Sequence, residues 1–444
     1  AAEQAGESPQ EFVDKVAAEF ESAWSGLNIS HDDFIRTTQD RHEKVVADVL
    51  LKLKEAKTPK GNDFIFKGSY EGLYCVGCES YKKDDDLVDG KCPDHDKEPE
   101  LLKEESWYIK LSDFGDVLKE KIASDEIRIL PVERKKEVLS FIEHGLEDVA
   151  ISRQQVKWGV EVPFDTDQTI YVWVDALINY ISALGYPDGE KVEKFWPANV
   201  HLLGKDILKF HAVIWPAMLI AAGIETPKDL FVHGYFTIDG KKMSKTLGNG
   251  IDPNDLVKEF GSDPARYLVI SQFPFGQDGD VKVEEFKVKF NADLANGLGN
   301  LVSRVLSMSE KYCDSKIPEK KYNAEVDLKK LWSTIDENYK EYRLFENLKE
   351  IWQLIAWCDG YIAETTPWTL AKEGKEEEVN QIVYNLIEIL RHLGWLVQPV
   401  LPETSKEILK RVNDNSSTFE QSIEVGKSKP GDSIDKGDAL FLRM

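Results

Sequence analysis

Two lysines near the middle of the chain have the chemistry to hold phosphate groups. Lys242 and Lys245 lie within the segment 237–249. Gly240 before them and Gly248 after them mark turns. A flexible loop with two ammonium groups can stabilise phosphate oxygens whose negative charge grows during a reaction. Composition alone favours a different interpretation, a solvated basic loop on an acidic protein.

A cluster of cysteines has the spacing of a zinc site. Cys75 and Cys78 form one pair, and Cys92 with His95 forms a second pair, separated from the first by 13 residues. Two such pairs can surround one zinc ion tetrahedrally, and four protein ligands leave no open position, so the metal would be structural. The odd total of five cysteines, without an export signal, argues against a disulfide framework. The alternative is three buried thiols and an exposed histidine.

Length and composition indicate a large globular protein outside the membrane. The chain has 444 residues, 42% hydrophobic and 31% charged, which is enough for about three domains. The longest apolar stretch, 210–224, is too short for a bilayer and contains His211 and Pro216. We therefore expect it to form a buried helix.

The net charge of −24 results from 56 basic and 80 acidic residues. By itself this charge argues against a nucleic-acid partner, because phosphate binding depends on positive charge. It favours a soluble protein, and we expect a cytoplasmic location. A local basic face is compatible with the same total.

The pattern of elements predicts a parallel sheet followed by helices. Ser8, Pro9 and Glu11 give the start signals of a helix over 8–26. Apolar strands are predicted at 168–175, 199–204 and 229–233, alternating with helices, as in nucleotide-binding folds. Residues 61–105 read as a small inserted module. From Val281 the pattern is helical, and from about 413 it is polar, which predicts weak order.

Four segments together resemble the methionyl-tRNA synthetases, which are class I aminoacyl-tRNA synthetases. They are the cysteine cluster, YVWVDALINY at 171–180, GKDILKFHAVIWPAML at 204–219 and HGYFTIDGKKMSKTLGN at 233–249, in the family's order. KMSKT at 242–246 corresponds to the family's KMSKS signature, and the resemblance extends over about 6–410.

The resemblance implies an α/β fold. A Rossmann-like parallel sheet would carry an inserted zinc-knuckle module and precede an all-α anticodon-binding bundle. The implied domains are 1–64, a remnant of the first half of the catalytic domain; 65–115, the connective module with the zinc knuckle; 116–235, the second half of the catalytic domain; 236–280, a stem-contact region with the KMSKS-like loop; and 281–444, the helical anticodon-binding domain.

A methionine pocket follows from the same resemblance. Aromatic walls suit a polarizable thioether, and a carboxylate just after a predicted strand could hold the substrate ammonium. Core packing is the alternative for the two aromatic rings, and Leu177 stands where the family usually has proline. The implied residues are Trp173, Ala176, Tyr180, Asp206, Ile207 and His211.

The resemblance also implies an ATP site that uses Mg²⁺. The two lysines would hold the β- and γ-phosphates, and Arg153, in the ISR segment 151–153, would bind charge near the adenylate. We expect Lys242, Lys245 and Arg153 to be catalytic, although Arg153 could also be a surface arginine. The implied nucleotide contacts are Lys242, Met243, Ser244, Lys245, Thr246, Gly204 and Gly234.

At the helical end, the resemblance implies an anticodon site for tRNA(Met). Asn300 and Arg304 are four residues apart, so they share one helix face. Both can hydrogen-bond unpaired bases, and Trp368 can stack on one. The alternatives are a surface amide for Asn300 and a packed core ring for Trp368. Such a site needs only local positive charge, which reconciles tRNA binding with the acidic total.

The second class I signature, HIGH, is not found in the sequence. We expect the first strand and its turn to lie upstream of Ala1, and we expect this chain alone to be inactive in methionine activation. The expected function is that of a methionine–tRNA ligase, with L-methionine, ATP and tRNA as partners and no membrane. The alternatives are a non-catalytic tRNA-binding protein and a related synthetase for leucine, valine or cysteine. The oligomeric state stays open, with a monomer preferred.

Overall fold

The computed structural model describes residues 2–75, 80–82, 87–88, 90–93, 97–154, 156–238, 240–243 and 250–444. The chain divides into two compact units. The first unit contains Ala1–Lys15 and His31–His233, and the second contains Val16–Ser30 and Gly234–Met444. Each unit has its own hydrophobic core.

Two helices open the chain, α1 (Ala2–Ala5) and α2 (Pro9–Gly26). The predicted capping box at the start of α2 is confirmed, because the Ser8 N–H donates to Glu11 Oε2 at 3.0 Å and the Glu11 N–H donates to Ser8 Oγ at 3.3 Å. These bonds satisfy backbone donors that the first helical turn leaves without partners.

Three sheets form the frame of the first unit. Its elements, in chain order, are α3 (Asp40–Glu55), β1 (Ile65–Cys75), β2 (Ser80–Lys82), β3 (Glu100–Ile109), α4 (Gly115–Ala123), β4 (Arg128–Leu130), α5 (Val132–Glu143), β5 (Val149–Ala150), β6 (Ser152–Arg153), β7 (Glu161–Val162), β8 (Asp165–Ile170), α6 (Val172–Ser182), α7 (Glu190–Phe195), β9 (Val200–Gly204), α8 (Trp215–Ala221) and β10 (Asp229–His233). The strand orders are β2-β1-β3-β5, β4-β10-β9 and β6-β8-β7.

The parallel sheet contains two of the three predicted strands. β10 pairs in parallel with both β9 and β4, so the strands predicted at 199–204 and 229–233 are confirmed. The strand predicted over 168–175 is wrong in its second half, because β8 ends at Ile170 and α6 begins at Val172. Positions 174, 178 and 181 of α6 are all buried, a helical period. Core packing therefore outweighs the strand propensity of the Tyr-Val-Trp-Val run.

The apolar stretch 210–224 is helical and buried, as predicted, but its first part is wider than an α-helix. Residues Phe210–Ile214 form a π-type segment that leads into α8. Pro216 has no N–H and cannot donate to the carbonyl four residues earlier, which makes a regular α-helical ladder impossible there.

The second unit contains a small sheet with two helices inserted between its strands, and from Val283 onward it is helical, as predicted. Its elements are β11 (Phe236–Ile238), β12 (Lys241–Lys242), α9 (Pro253–Phe260), α10 (Ser262–Ile270), β13 (Gly279–Val281), α11 (Val283–Lys289), α12 (Asn300–Tyr312), α13 (Leu328–Lys340), α14 (Leu344–Thr365), α15 (Pro367–Lys372), α16 (Glu376–Val397), α17 (Pro402–Arg411) and α18 (Phe419–Ile423). A π-type segment, Phe290–Gly299, joins α11 to α12.

The polar C-terminal stretch is tied to α16, so the prediction of weak order is wrong. The buried Glu388 carboxylate accepts the N–H groups of Gly426 at 2.7 Å and Ser428 at 2.9 Å. Burial alone would raise the pKa of Glu388, but hydrogen bonds from His392 and Arg391 hold that pKa well below its usual range. The carboxylate therefore stays charged and anchors the segment.

Candidate active site and anticodon set

A cluster of aromatic side chains lies between α6 and the π-type segment. Trp173 and Tyr180 are seven residues apart on one face of α6, with Ala176 between them. The Trp173 ring stacks on the Phe210 ring with centroids 4.4 Å apart. The Tyr180 hydroxyl lies 2.8 Å from His211 Nε2. The structure thus brings together residues that the sequence places more than 30 positions apart. We call Trp173, Tyr180, Phe210 and His211 the aromatic pocket.

Hydrogen bonding determines the proton positions in the aromatic pocket. His211 Nδ1 lies 2.9 Å from the carbonyl oxygen of Ile207, which can only accept, so Nδ1 carries the hydrogen. Nε2 is then the acceptor for the Tyr180 hydroxyl. Burial lowers the pKa of His211 and raises the pKa of Tyr180 to about 12. Both side chains are therefore uncharged at neutral pH, which suits an apolar ligand.

Sequence reasoning missed two side chains behind Tyr180. The His201 ring stacks on Tyr180 at 3.9 Å between centroids, and the Trp215 indole N–H donates to His201 Nε2 at 3.2 Å. Burial lowers the pKa of His201 to about 3, so this ring also stays neutral. The available signal was His201 itself, because a histidine inside a predicted buried strand needs a hydrogen-bond partner.

Arg153 and Asp206 both line one cavity. Its volume is about 690 Å³. The Arg153 guanidinium stacks over the Tyr171 ring, with Cζ 4.5 Å from the centroid, and Asp206 is exposed just after β9. We call it the Arg153 cavity and define it by six of its lining residues, Arg153, Tyr171, Asp206, Lys209, Phe210 and Phe141.

The lysine segment begins as a hairpin of β11 and β12. Gly240 at the turn has φ +72°, a left-handed conformation that favours glycine. Asp280 Oδ1 accepts both the Gly240 N–H and the Thr237 hydroxyl at 2.7 Å each, and these bonds hold the pKa of Asp280 below its usual range. Asp280 was missed because it lies 40 residues away. Lys242 ends β12 and Met243 is half-buried, whereas Ser244, Lys245 and Thr246 lie outside the described residues.

Two glycines sit where parallel strands end. Gly204 pairs with His233, the last residue of β10, and Gly234 follows directly in sequence. A Cβ on Gly234 would lie 2.1 Å from the carbonyl oxygen of Gln277. No side chain fits at that distance, so the backbone approach there requires glycine.

Half of the predicted zinc ligands are described. Cys75 ends β1 and Cys92 is bridged to Lys97, and both cysteines are buried. Cys78 and His95 lie outside the described residues. Among the residues that are described, no group of three or more potential metal ligands is found.

The anticodon set, Asn300, Arg304 and Trp368, lies in the second unit. Asn300 begins α12 and is exposed, and Trp368 on α15 is 42% exposed. The alternative that Trp368 is a packed core ring is therefore wrong. Arg304 Nη1 lies 2.5 Å from Asp359 Oδ1 on α14. Asp359 was missed, because its partner lies 55 residues away in sequence.

The described helices include none with both the length and the apolar character that a bilayer crossing requires.

Comparisons with known proteins agree across both units. Residues 1–100 and 86–306 match the family of class I tRNA synthetases of the methionine type, and residues 324–439 match the anticodon-binding domain of tRNA ligases. The methionine–tRNA ligase of Caldanaerobacter subterraneus is 42% identical over all of this chain and 70% of its own length. The Thermotoga maritima enzyme is 40% identical over all of this chain and 72% of its own length.

A solved structure shares the fold. Mycobacterium tuberculosis methionyl-tRNA synthetase, bound by methionyl-adenylate, superimposes with a TM-score of 0.89 at 33% identity. The match covers 99% of this chain and 89% of that one. Relatives of methionine type disfavour a leucine, valine or cysteine enzyme. The chain belongs to the methionyl-tRNA synthetase family of class I aminoacyl-tRNA synthetases.

Proposed function

We propose that this protein is a methionine–tRNA ligase. It activates L-methionine with ATP to methionyl-adenylate and transfers the methionyl group to the 3′ end of tRNA(Met). The observation that carries the proposal is the neutral aromatic pocket, formed by the residues at which the family resemblance places the amino-acid side chain. Its location is the cytoplasm, where ATP and tRNA are available.

The aromatic pocket recognises the thioether mainly by dispersion. The Tyr180 hydroxyl already donates its hydrogen to His211, so the sulfur meets polarizable rings rather than a strong donor. Ala176 and Ile207 complete the walls, and Asp206 holds the substrate ammonium. A pocket of this kind discriminates against a shorter or branched side chain by about 1–3 kcal/mol per methylene.

The lysine segment holds the triphosphate during activation. A carboxylate oxygen of methionine attacks the α-phosphorus in line, the bond from that phosphorus to the bridging oxygen breaks, and pyrophosphate leaves with the electron pair. Lys242 and Lys245 stabilise the charge that develops on the leaving group, and Arg153 stabilises the adenylate. Mg²⁺, when it accompanies ATP, would supply further neutralisation of that charge. The other nucleotide contacts are Met243, Ser244, Thr246, Gly204 and Gly234.

Asp280 positions the lysine segment from its base. One oxygen of its carboxylate accepts hydrogen bonds from Gly240 and Thr237. These bonds fix the conformation of the turn that leads into the lysine segment. In the second step of the reaction, a ribose hydroxyl at the 3′ end of the tRNA attacks the adenylate carbonyl and AMP leaves. No side chain forms a covalent intermediate.

The anticodon set reads unpaired bases in the second unit. Trp368 exposes a ring face on which a base can stack, at about 1–3 kcal/mol per base. Asn300 and Arg304 supply hydrogen bonds to base edges. Because stacking and hydrogen bonding carry recognition here, the net charge of −24 is no obstacle.

A structural zinc ion holds the inserted module. Cys75 and Cys92 are buried side chains of the type that zinc prefers, and Cys78 and His95 complete the ligand set. The five sequence-derived domains, 1–64, 65–115, 116–235, 236–280 and 281–444, stand as part of the same proposal. The division between the two compact units after His233 lies close to one of these boundaries.

The activity test is methionine-dependent exchange of pyrophosphate into ATP, followed by charging of a tRNA with a CAU anticodon. With the HIGH signature supplied, methionine should drive exchange, and leucine, valine and cysteine should not. Lys245→Ala should slow exchange about 100-fold, because it removes a charge that acts in the transition state. Lys258→Ala, an exposed lysine on α9, is the matched control and should leave the rate unchanged. Equal exchange with leucine would refute the assignment.

The zinc proposal has a test that does not depend on activity. Metal analysis of the purified protein should find one zinc per chain. Cys75→Ser should lower that occupancy, and Cys313→Ser, in the second unit, should not. A metal-free protein with an intact fold would contradict the proposal.

A further inference from the structure

A buried polar group connects α3 to α6, the helix that carries Trp173 and Tyr180 of the aromatic pocket. His42, on α3, lies 2.7 Å through Nε2 from Asp175 Oδ1 and 2.8 Å through Nδ1 from Ser182 Oγ, and both partners are on α6. The three residues are 0%, 8% and 1% exposed. We call His42, Asp175 and Ser182 the α6 anchor. None of the three is among the residues assigned to the proposed site.

Hydrogen bonding holds the His42 ring in one orientation. A carboxylate can only accept, so Nε2 of His42 carries a hydrogen and donates it to Asp175. Nδ1 is satisfied by the hydroxyl of Ser182, which can donate or accept. A turned ring would leave buried polar atoms without partners, which is costly inside a protein. The ring therefore fixes the distance and the direction of both of its partners on α6.

The α6 anchor and the aromatic pocket use different faces of α6. Side chains advance by about 100° per residue along an α-helix, so residues seven positions apart point in nearly the same direction. Asp175 and Ser182 form one such pair, and Trp173 and Tyr180 form another. The two pairs are offset by two positions, or about 200°. The anchor therefore holds the back of the helix whose front carries the pocket.

Apolar packing alone does not hold a helix to the accuracy that a binding pocket needs. Val174, Ile178 and Ile181 bury α6 in the core, but hydrophobic contacts are non-directional and tolerate repacking. A functional site must be held to within about 0.5 Å. The two attachment points of the anchor are about 10.5 Å apart along the helix axis, because each residue rises by about 1.5 Å. Two directional attachments at that separation oppose both rotation and sliding of α6.

We propose that His42 is a positioning residue for methionine recognition. By binding Asp175 and Ser182, it sets the rotation of α6 and therefore the placement of Trp173 and Tyr180 around the substrate side chain. The inference rests on the proposed function, because it concerns the pocket to which methionine is assigned there. A displacement of about 1 Å can cost about 100-fold in an oriented site. A residue outside the pocket can therefore control what the pocket accepts.

The experiment measures the affinities for methionine and for ethionine, whose side chain is one methylene longer, by calorimetric titration. The wild type should prefer methionine by about 30-fold, within the range that one methylene provides in an apolar pocket. His42→Leu removes both hydrogen bonds and should reduce the preference to about threefold. His42→Gln places an amide nitrogen where Nε2 lies, so it should restore most of the preference.

A control separates positioning from a loss of stability. Leu53→Ala, which truncates a fully buried residue of the same helix, should lower the melting temperature and leave the preference for methionine unchanged. A folded His42→Leu protein that is less stable but keeps the wild-type preference would show that His42 is only structural, and would overturn the proposal.

Ser182→Ala is a milder variant that keeps the test decisive if His42→Leu does not fold. It removes one of the two bonds of His42 and should lower the preference for methionine to about tenfold. An unchanged preference in folded Ser182→Ala would then count against the proposal and overturn it.

Failure of this inference and failure of the proposed function give different results. If the wild type binds methionine in preference to leucine, valine and cysteine, but the His42 and Ser182 variants keep the wild-type ratio for ethionine, the positioning role is wrong and the ligase assignment stands. If the wild type binds leucine as tightly as methionine, the proposed function itself fails.

Discussion

The aromatic pocket and the anticodon set each use a tryptophan, but the protein holds the two rings differently. Trp173 is half-buried and already stacked on Phe210, whereas Trp368 is 42% exposed. In the pocket, the polar atoms of Tyr180 and His211 also satisfy each other before any ligand arrives.

The different burial of the two tryptophans indicates two different ways of recognising a ligand. The pocket is preorganised by contacts that also stabilise the fold, so changing it should cost both affinity and stability. In the anticodon set, the Trp368 ring and the Asn300 amide are exposed and make their contacts only when a base packs against them. Changing Trp368 should therefore cost affinity alone.

The largest effect should come from Trp173→Ala. Losing a stacked, half-buried indole should weaken methionine binding about 100-fold and lower the melting temperature, because a large aromatic is removed from its packing. Calorimetric titration with methionine and thermal unfolding measure both. Trp158→Ala, which removes a 47% exposed ring in the same unit, is the control. A loss of affinity without loss of stability would break the comparison.

Trp368→Ala should come second. Removing one stacking platform should weaken binding of a CAU tRNA about 30-fold, with no change in melting temperature. The control is a tRNA with another anticodon, whose weak binding should not respond. A clear drop in the melting temperature would show that Trp368 is structural after all.

Tyr180→Phe should have a smaller effect on methionine. It leaves His211 Nε2 buried without its donor, which should lower the unfolding free energy by about 1–2 kcal/mol. Because that cost is the same with and without ligand, methionine affinity should change little. Tyr186→Phe removes a hydroxyl that contacts Lys52 Nζ at 3.1 Å on the surface, and should change nothing. Equal effects from the two variants would argue against an ordered Tyr180–His211 pair.

The smallest effect should be that of pH on methionine affinity, which should change less than about twofold between pH 8 and 6.5. Burial lowers the pKa of His211, and the pKa of His201 to about 3, so both rings stay neutral over this range. A steep dependence of affinity on pH would show that a pocket histidine is charged.

Stability should respond to acid even where affinity does not. The unfolded chain protonates a histidine near pH 6.5 and the folded pocket resists protonation. The unfolding free energy should therefore fall as pH drops below about 6.5, by up to about 1.4 kcal/mol per pH unit for each such histidine. For His201 this continues down to about pH 3. His201→Gln should show a shallower slope in denaturant unfolding measured across this range.

Local sequence signals were enough to predict the elements that depend on residues close to one another in sequence. The Ser8–Glu11 capping box, the strands at 199–204 and 229–233 and the helical region from Val281 all depend on neighbours or on short-range periodicity. The family resemblance, carried by short motifs, pointed in the same way to Trp173, Tyr180 and His211, which the fold then brings together.

Tertiary structure decided the features whose partners are distant in sequence. The helix over 172–175 forms because its buried face meets the core, against its local strand propensity. His201 beside Tyr180, Asp280 at the lysine hairpin and Asp359 on Arg304 became visible only when the chain was folded. None of these residues belongs to a sequence motif. The role of each polar side chain depends on its hydrogen-bond partner, which only the folded structure identifies.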